Sequence, residues 1–388
     1  MTEDKRITIM ISAVEPSADA LGASLIQALK SQNNNIEFVG CGGPMMAQAG
    51  LASIFPIEQF SVMGPVDALR ALPAAIKAAM ELAAACVNHR ADAAIFIDSW
   101  AFSKLAAKQV RKLSPSTACV KYVAPQVWAS RPNRAKSAAS LFDLILCLFE
   151  FEAPYFEKHG LRAQWVGHSG FQEIERSRYS GALFRKTHGL PSDTPLLAIL
   201  PGSRRGEVER LSEPFGKAVA LISKRVPELR TVVVAAPNVS RSVSDRAVSW
   251  AGNPIIISRD ERLDAFAAAD AALAASGTVV TELAIQKTPI VVSYKVGPVA
   301  AAWARHVITT PYVSLVNIAA GRAVVPEFLQ EACIPEKMAD SVADLLQNED
   351  ARMGQLVEFS KVLPMVTGGS EPAENKAARA VLSLIEGK

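Results

Sequence analysis

Three residues that could bind a diphosphate, Ser276, Gly277 and Thr278, stand between an apolar run and a helical pattern. The free N–H groups of a first helical turn suit phosphate oxygens, and glycine lets the backbone approach them closely. Glu282 follows about one turn later, where a carboxylate can accept hydrogen bonds from two ribose hydroxyls. The spacing fits equally well an ordinary loop in which Ser276 caps the helix and Glu282 favours the helix dipole.

The segment LPGSRRGEVERL offers a second phosphate contact after another apolar run. An arginine beside a glycine turn can neutralise a phosphate with two parallel hydrogen bonds. Alternatively, Arg204 and Arg205 are solvated and pair with Glu207 and Glu209, which is the usual outcome for surface charges. We favour a ligand contact for Arg204 and surface pairing for Arg205.

Two segments of the first half carry groups for acid–base or anion chemistry. Asp98 ends the run IFID, where a carboxylate could act as a general base or orient one. From the residues alone, a helix N-cap shared with Ser99 is the better explanation. Trp128 lies beside Arg131 and other cations in APQVWASRPNRAK, a combination that could meet an anionic, partly apolar ligand. A buried tryptophan before a solvated, basic helix start is slightly favoured over that contact.

An apolar cluster in the first half is formed by Phe60, Val62, Met63, Val66 and Leu69. Spacings of three and four residues place Val62, Val66 and Leu69 on one face of a helix. Core packing is the usual explanation of such a face. An exposed patch would instead indicate a membrane or lipid contact.

Short apolar runs, each followed by a loop and a helical pattern, supply the elements that must position these residues. Runs that are apolar at successive positions predict parallel strands buried on both faces. The clearest runs are Ile7–Ile11, Ile36–Val39, Ala93–Ile97, Ala118–Val123, Leu144–Leu148, Leu196–Leu200, Thr231–Ala235, Pro254–Ile257, Ala271–Ala275 and Pro289–Tyr294.

This alternation predicts an α/β fold with two doubly wound, Rossmann-like domains that face a cleft. Ligands of such sheets bind beyond the carboxyl ends of the strands. A polar seam after QWVGHSG separates an N-terminal domain, residues 1–168, from a second domain, residues 169–360. Residues 361–388 form a turn and a last helix, which could pack back on the N-terminal domain.

Composition sets further limits. Of the 388 residues, 50% are apolar, enough for two filled cores, and the net charge of +3 gives no reason to expect nucleic-acid binding. The five scattered cysteines predict buried free thiols in a reducing compartment. No apolar run reaches the length that spans a bilayer, and no metal-ligand spacing occurs, so we expect a cytosolic protein without metal or cofactor.

Seven segments in a fixed order resemble the lipid-A-disaccharide synthase family, which consists of inverting glycosyltransferases with the GT-B fold. The resemblance covers about Ile9 to Leu345. The segments are GCGGPMMAQAGLASIFPIEQFSVMG, APQVWASRPNRAK, LFEFEAPYFEKHGLRAQWVGH, LPGSRRGEVERL, ASGTVVTELA, PIVVSYKV and PYVSLVNIAAGRAVVPEFLQE.

The resemblance implies that UDP-2,3-diacylglucosamine and 2,3-diacylglucosamine 1-phosphate react to give a β(1→6)-linked lipid A disaccharide phosphate and UDP. It implies a peripheral protein on the cytoplasmic face of the inner membrane of a Gram-negative bacterium, without a metal or cofactor. Nucleic acid is not an expected partner, and the chain could form a homodimer. The apolar cluster at Phe60–Leu69 would then contact the bilayer.

The resemblance also implies roles for individual residues. Asp98 becomes the base or its partner, together with Glu15 from the loop after the first strand. Donor contacts are expected from Ser203, Arg204, Ser276, Gly277, Thr278, Glu282, Tyr294, Asn317 and Gln330. Acceptor contacts are expected from Ser17, Gln126, Trp128 and Arg131.

Five positions on the acceptor side differ from the family pattern. Val14 and Ala18 stand where the opening loop has glycines, Ala101 replaces a second acid, and Ala124 and Gln126 stand where the family usually has serines. Without those glycines the opening loop is stiffer, so Glu15 and Ser17 are interpreted as side-chain contacts, not as part of a phosphate cradle. The differences leave two alternatives: a UDP-sugar transferase or epimerase with another acceptor, or a non-catalytic paralogue that binds lipid or nucleotide.

Overall fold

The structure, a computed structural model, describes residues 6–57 and 65–387; for residues 65–71, 299 and 305 it describes the backbone alone. The chain divides into two compact units. The first unit contains Met1–Gln172 and Thr367–Lys388, and the second contains Glu173–Val366. The break therefore falls a few residues after the predicted boundary at 168, and the C-terminal residues belong to the first unit.

The first unit is built on a six-stranded parallel sheet with the order β2-β1-β3-β4-β5-β6. Its strands are β1 (Ile7–Ala13), β2 (Ile36–Cys41), β3 (Ala93–Ile97), β4 (Ala118–Tyr122), β5 (Leu144–Cys147) and β6 (Arg162–Trp165). Its helices are α1 (Pro16–Gln32), α2 (Pro44–Gln48), α3 (Pro65–Asn88), α4 (Trp100–Leu113), α5 (Asn133–Ala139), α6 (Pro154–Glu157) and the start of α7 (Ser169–Arg176).

The second unit has a parallel sheet of the same size, with the order β12-β11-β10-β7-β8-β9. Its strands are β7 (Leu196–Leu200), β8 (Arg230–Ala235), β9 (Ile255–Ser258), β10 (Ala271–Ala275), β11 (Ile290–Tyr294) and β12 (Glu327–Leu329). Its helices are α8 (Gly181–Thr187), α9 (Arg205–Arg225), α10 (Ser240–Ala247), α11 (Arg262–Ala268), α12 (Thr278–Ile285), α13 (Pro298–Val307), α14 (Leu315–Ala320), α15 (Pro335–Gln347) and α16 (Glu349–Thr367). The last helix, α17 (Ala373–Glu386), returns to the first unit.

Both faces of the first sheet are covered, as the continuous apolar runs predict. Successive residues of a strand point to opposite faces, so Met10 packs with α3 and α4 while Ile9 and Ile11 pack with α1 and α17. The five cysteines are free and buried, as predicted for the thiols themselves. Among the described residues, no helix is both long and apolar enough to cross a membrane.

Each sheet has one point at which the strand order reverses. In the first unit, β1 and β3 lie side by side, and the chain proceeds outward from them in both directions. In the second unit, β7 and β10 play the same part. The loops that leave such neighbouring strands diverge and open a crevice, which is where open α/β sheets bind ligands.

Candidate functional site

The loop between β10 and α12 leaves a helix N-terminus open. Gly277 is the N-cap of α12, and no side chain of the described residues caps it. The prediction that Ser276 caps the helix is wrong, because its hydroxyl donates a hydrogen bond to the carbonyl of Val313 at 3.1 Å. N–H groups at the start of α12 are therefore left for an anion.

Gly277 has no structural need to be glycine. Its φ of 165° is extended backbone, and a Cβ atom placed there would meet no heavy atom within 4 Å. The residue lines a cavity of about 290 Å³ that also contacts Gly202, Ser203, Thr278 and Glu282. The space beside Gly277 is thus available to a ligand of the cavity.

Gly277→Val is expected to weaken UDP binding about tenfold or more, because the side chain would fill the approach to the helix N-terminus. Stability should hardly change, since valine accepts this backbone conformation. Gly354→Val is the matched control, since a Cβ atom at Gly354 also meets nothing and the residue lies on α16, away from the cavity. Calorimetric titration with UDP checks the prediction, and unchanged affinity in the Gly277 variant would contradict it.

Glu282 lies on the first turns of α12 and is buried in the wall of the cavity. Arg262, at the start of α11, holds its carboxylate with two hydrogen bonds, 2.7 Å from Nε to Oε2 and 3.4 Å from a terminal nitrogen to Oε1. A carboxylate oxygen has two lone pairs, so both oxygens can still accept from a ligand. Arg262 carries no signal in the sequence, since its partner lies twenty residues further along the chain.

The backbone N–H groups of the loop after β7 donate hydrogen bonds to a carboxylate of the following helix, α9. Glu207 accepts hydrogen bonds from the N–H groups of Ser203 (3.1 Å) and Arg204 (3.2 Å), so these groups are occupied. Its other oxygen accepts from the Arg204 guanidinium (2.8 Å) and the Tyr294 hydroxyl (3.2 Å). Burial and the neighbouring Glu207 raise the pKa of Tyr294, which keeps the hydroxyl a donor.

Arg204 nevertheless remains open to solvent, with 78% of its side chain exposed. It has hydrogen-bond donors to spare beyond the one on Glu207. Arg205 pairs with Glu209 at 2.8 Å, which confirms the predicted surface pair. Glu207, considered in the sequence only as a surface partner, is the buried centre of this cluster.

Asn317, an expected donor contact, has no atom to offer a ligand. The side chain is fully buried, and its oxygen accepts from the N–H groups of Val324 (2.7 Å) and Val325 (2.9 Å). Its nitrogen donates to the carbonyl of Val325 and to Glu327, each at 2.9 Å. Its amide groups are thus satisfied within the chain, so this geometry does not support a direct donor contact.

Asn317 instead supports the loop between β10 and α12 through other residues. Glu327 also accepts from the N–H groups of Val313 (3.0 Å) and Ser314 (2.9 Å). The carbonyl of the same Val313 accepts the hydrogen bond from the Ser276 hydroxyl. Gln330, another expected donor residue, follows β12 in a left-handed conformation (φ 52°) and accepts from the N–H of Val296 at 3.3 Å.

In the first unit, Glu15 and Asp98 follow β1 and β3, the two strands at the reversal point. Asp98 (φ 50°) and Ser99 (φ 33°) are consecutive left-handed residues. Ser99 is the N-cap of α4, but no side-chain cap bond forms, so the helix-cap explanation of Asp98 is wrong. Among the described residues, no hydrogen bond to the carboxylate of Asp98 or Glu15 occurs. Ser17, on α1, is exposed.

The loop after β4 contains three expected acceptor residues in different environments. Gln126 and Arg131 are exposed, and Arg131 is left-handed (φ 55°). Trp128 is buried, and its indole N–H donates to Glu152 at 3.1 Å. The alternative of a buried tryptophan is therefore the one that the structure shows.

Glu152, which was not among the predicted site residues, fixes this loop. Its second oxygen accepts from the N–H groups of Leu148 (3.0 Å) and Phe149 (3.1 Å). Burial raises its pKa to about 7, an effect that these bonds and the one from Trp128 oppose. The predicted membrane patch, in contrast, lies outside the residues whose side chains the structure describes; its members are Phe60, Val62, Met63, Val66 and Leu69.

Comparison with known proteins places this geometry in a class. A sucrose-phosphate synthase from Thermosynechococcus elongatus superposes with a TM-score of 0.62 over 99% of this chain and 100% of its own, at 12% identity. A UDP-GlcNAc 2-epimerase from Neisseria meningitidis bound to UDP-GlcNAc superposes with a TM-score of 0.58, covering 98% of this chain and 99% of its own at 11% identity. Two Rossmann-like units with a cavity at the sheet reversal of the second define the GT-B fold class.

Sequence comparison then gives the family. Residues 9–381 match the family model for LpxB, lipid-A-disaccharide synthetase, and the chain belongs to this family. A lipid-A-disaccharide synthase of Rhodospirillum centenum is 39% identical over 98% of this chain and 95% of its own. The chain is accordingly a hexosyltransferase of lipid A biosynthesis, which disfavours the epimerase and paralogue alternatives.

Proposed function

We propose that the second unit holds UDP-2,3-diacylglucosamine and that the first unit activates 2,3-diacylglucosamine 1-phosphate for attack on it. The observation that carries this proposal is the cavity of the second unit. There an uncapped helix N-terminus, a glycine with open space and a buried, fixed carboxylate line one wall. These are the groups needed for a diphosphate and a ribose.

Different groups of the second unit bind the diphosphate, the ribose and the sugar of the donor. The N–H groups at the start of α12 bind the diphosphate, and Arg204, with spare donors, balances its charge. Glu282 accepts the ribose hydroxyls, and Arg262 fixes the carboxylate in the orientation they need. Tyr294 and Gln330 lie at the ends of neighbouring strands and contribute to the sugar side, while Asn317 acts through Glu327 and Val313.

The reaction is a single displacement. The 6-hydroxyl oxygen of the acceptor attacks the anomeric carbon of the donor sugar while the bond from that carbon to the phosphate oxygen breaks. The proton of the hydroxyl passes to the carboxylate of Asp98, and the electron pair of the broken bond leaves with UDP. Helix N–H groups and an arginine that are already in place stabilise the charge that develops on the leaving group.

On the acceptor side, Glu15 is the second carboxylate at the reversal point of the first sheet. Ser17, Gln126 and Arg131 are exposed at the same carboxyl edge of the sheet, where Arg131 could meet the acceptor phosphate. Trp128 supports this loop from within. Because both substrates carry acyl chains, we propose that the protein works on the cytoplasmic face of the inner membrane, with Phe60–Leu69 as its contact.

Acceptor-dependent release of UDP tests the function. Purified protein with both acylated sugars should release UDP and form the disaccharide phosphate in equal amounts, and omission of the acceptor should stop both. Turnover of the UDP-sugar without acceptor would indicate an epimerase instead. UDP binding without any turnover would indicate a binding protein, and either result would overturn the proposal.

A further inference from the structure

A single lysine interrupts the apolar pattern of a central strand. Lys121 lies on β4 and is fully buried, with 0% of its surface exposed. Its register partners on the two flanking strands are Phe96 and Ile145, which are both apolar and buried. A buried lysine is rare because burial disfavours its charged form, so its presence here needs an explanation.

The ammonium group of Lys121 donates to three backbone carbonyls. The distances from Nζ are 2.6 Å to the oxygen of Asp98, 2.9 Å to that of Tyr122 and 3.3 Å to that of Phe96. An ammonium has three N–H donors and no acceptor, so three carbonyls match it completely. A neutral amine would turn its lone pair toward one of these oxygens.

Two of the three carbonyls, those of Asp98 and Tyr122, lie in or directly before turns with left-handed backbone. Asp98 and the following Ser99 both have positive φ, and Tyr122 precedes Val123, whose φ is 69°. A β-branched residue in this region is a clear outlier. Such conformations persist only where the surrounding structure fixes them, and they concentrate at functional sites.

We propose that Lys121 is the positioning residue of Asp98, because its ammonium ties together the turns that end β3 and β4 and so fixes the carboxylate that accepts the proton. This inference rests on the proposed function of Asp98. It also makes the geometry of Asp98 depend on the charge of a residue that never touches substrate.

Two opposing effects set the protonation of Lys121. Burial lowers its pKa to about 7, and the charges of Asp98 and Glu15 oppose that shift. No titratable group is present among the buried residues of α4, which packs against β3 and β4; Glu374 of α17 acts on Tyr122, on the opposite face of the sheet. The carboxylates of the candidate site are therefore the charges that keep Lys121 protonated.

The pH dependence of kcat tests this role without any substitution. Above about pH 7 Lys121 loses its third proton, so kcat should fall, by up to about tenfold per pH unit. Lys121→Gln should lower kcat at pH 7 about tenfold or more, keep KM for the UDP-sugar within about twofold, and remove this falling limb. Lys108→Gln, an exposed lysine on α4, should retain both kcat and the limb.

A second variant separates positioning from titration. Ser103 donates to the same Asp98 carbonyl at 2.7 Å but carries no titratable proton in this range. Ser103→Ala should lower kcat and keep the falling limb at the same pH. If the limb is unchanged in Lys121→Gln, or if that variant keeps wild-type kcat, the proposal is overturned.

The free energy of unfolding gives a readout that does not need activity. Between about pH 7 and 10.5 the unfolded chain binds a proton at this lysine that the folded chain does not. Stability relative to Lys121→Gln should therefore rise with pH in this window, while kcat falls. If stability rises with pH in this way but the protein makes no disaccharide, only the proposed function is refuted. If stability does not rise with pH, the positioning role of a buried, titrating Lys121 is refuted.

Discussion

Asp98→Asn is expected to lower kcat for disaccharide formation by about 10²- to 10⁴-fold, the usual contribution of a general base. Asparagine has the same shape and, like aspartate, tolerates the left-handed backbone at this position, where φ is 50°. The loss can therefore be assigned to the missing base. Alanine would be a poorer test because it would also strain the turn.

Donor binding should survive this substitution, because the cavity that we assign to UDP belongs to the second unit. Calorimetry should give Asp98→Asn the UDP affinity of the wild type. Glu150→Gln, at an exposed carboxylate of the same unit, is the matched control and should retain full turnover. Turnover by Asp98→Asn within a few-fold of the wild type would remove Asp98 from the reaction.

Asn317→Ala is expected to reduce the free energy of unfolding by about 3 kcal/mol or more. The substitution leaves the N–H groups of Val324 and Val325 and the carbonyl of Val325 without their partner in a fully buried site. Urea denaturation measures the effect. The loss of UDP affinity should be secondary, since the amide acts through Glu327 and Val313.

Asn348→Ala provides the comparison for this prediction. Asn348 is exposed and accepts from the N–H groups of Asp350 and Ala351 at the start of α16, so its removal should cost about 1 kcal/mol. If Asn317→Ala were as stable as the wild type but failed to bind the donor, the asparagine would be a direct ligand contact after all.

The scaffold could be predicted from sequence where a strand is buried on both faces. The runs Ala93–Ile97, Leu196–Leu200 and Ala271–Ala275 are strands with the predicted bounds. The edge strands β6 and β12 were missed. Their residues are half-buried or exposed, so no apolar run marks them.

The loops of the site could be predicted because they follow those strands directly. The sequence could not show which side chains pair with partners from other loops. Arg262 meets Glu282, and Trp128 meets Glu152, only because loops from different strands converge. Lys121 is the one charged residue in the apolar run Ala118–Val123, and a charge at such a position indicates a specific role.

The stereochemistry of the product tests the central claim, direct displacement by an acceptor hydroxyl that Asp98 deprotonates, most directly. Proton NMR of the disaccharide made from an α-linked UDP-diacylglucosamine and diacylglucosamine 1-phosphate reports the configuration of the new linkage. The account predicts a β(1→6) linkage and one UDP released for each disaccharide, with formation of both products about 10²- to 10⁴-fold slower in Asp98→Asn. An α-linkage, or β-linked product from Asp98→Asn at the wild-type rate, would contradict it.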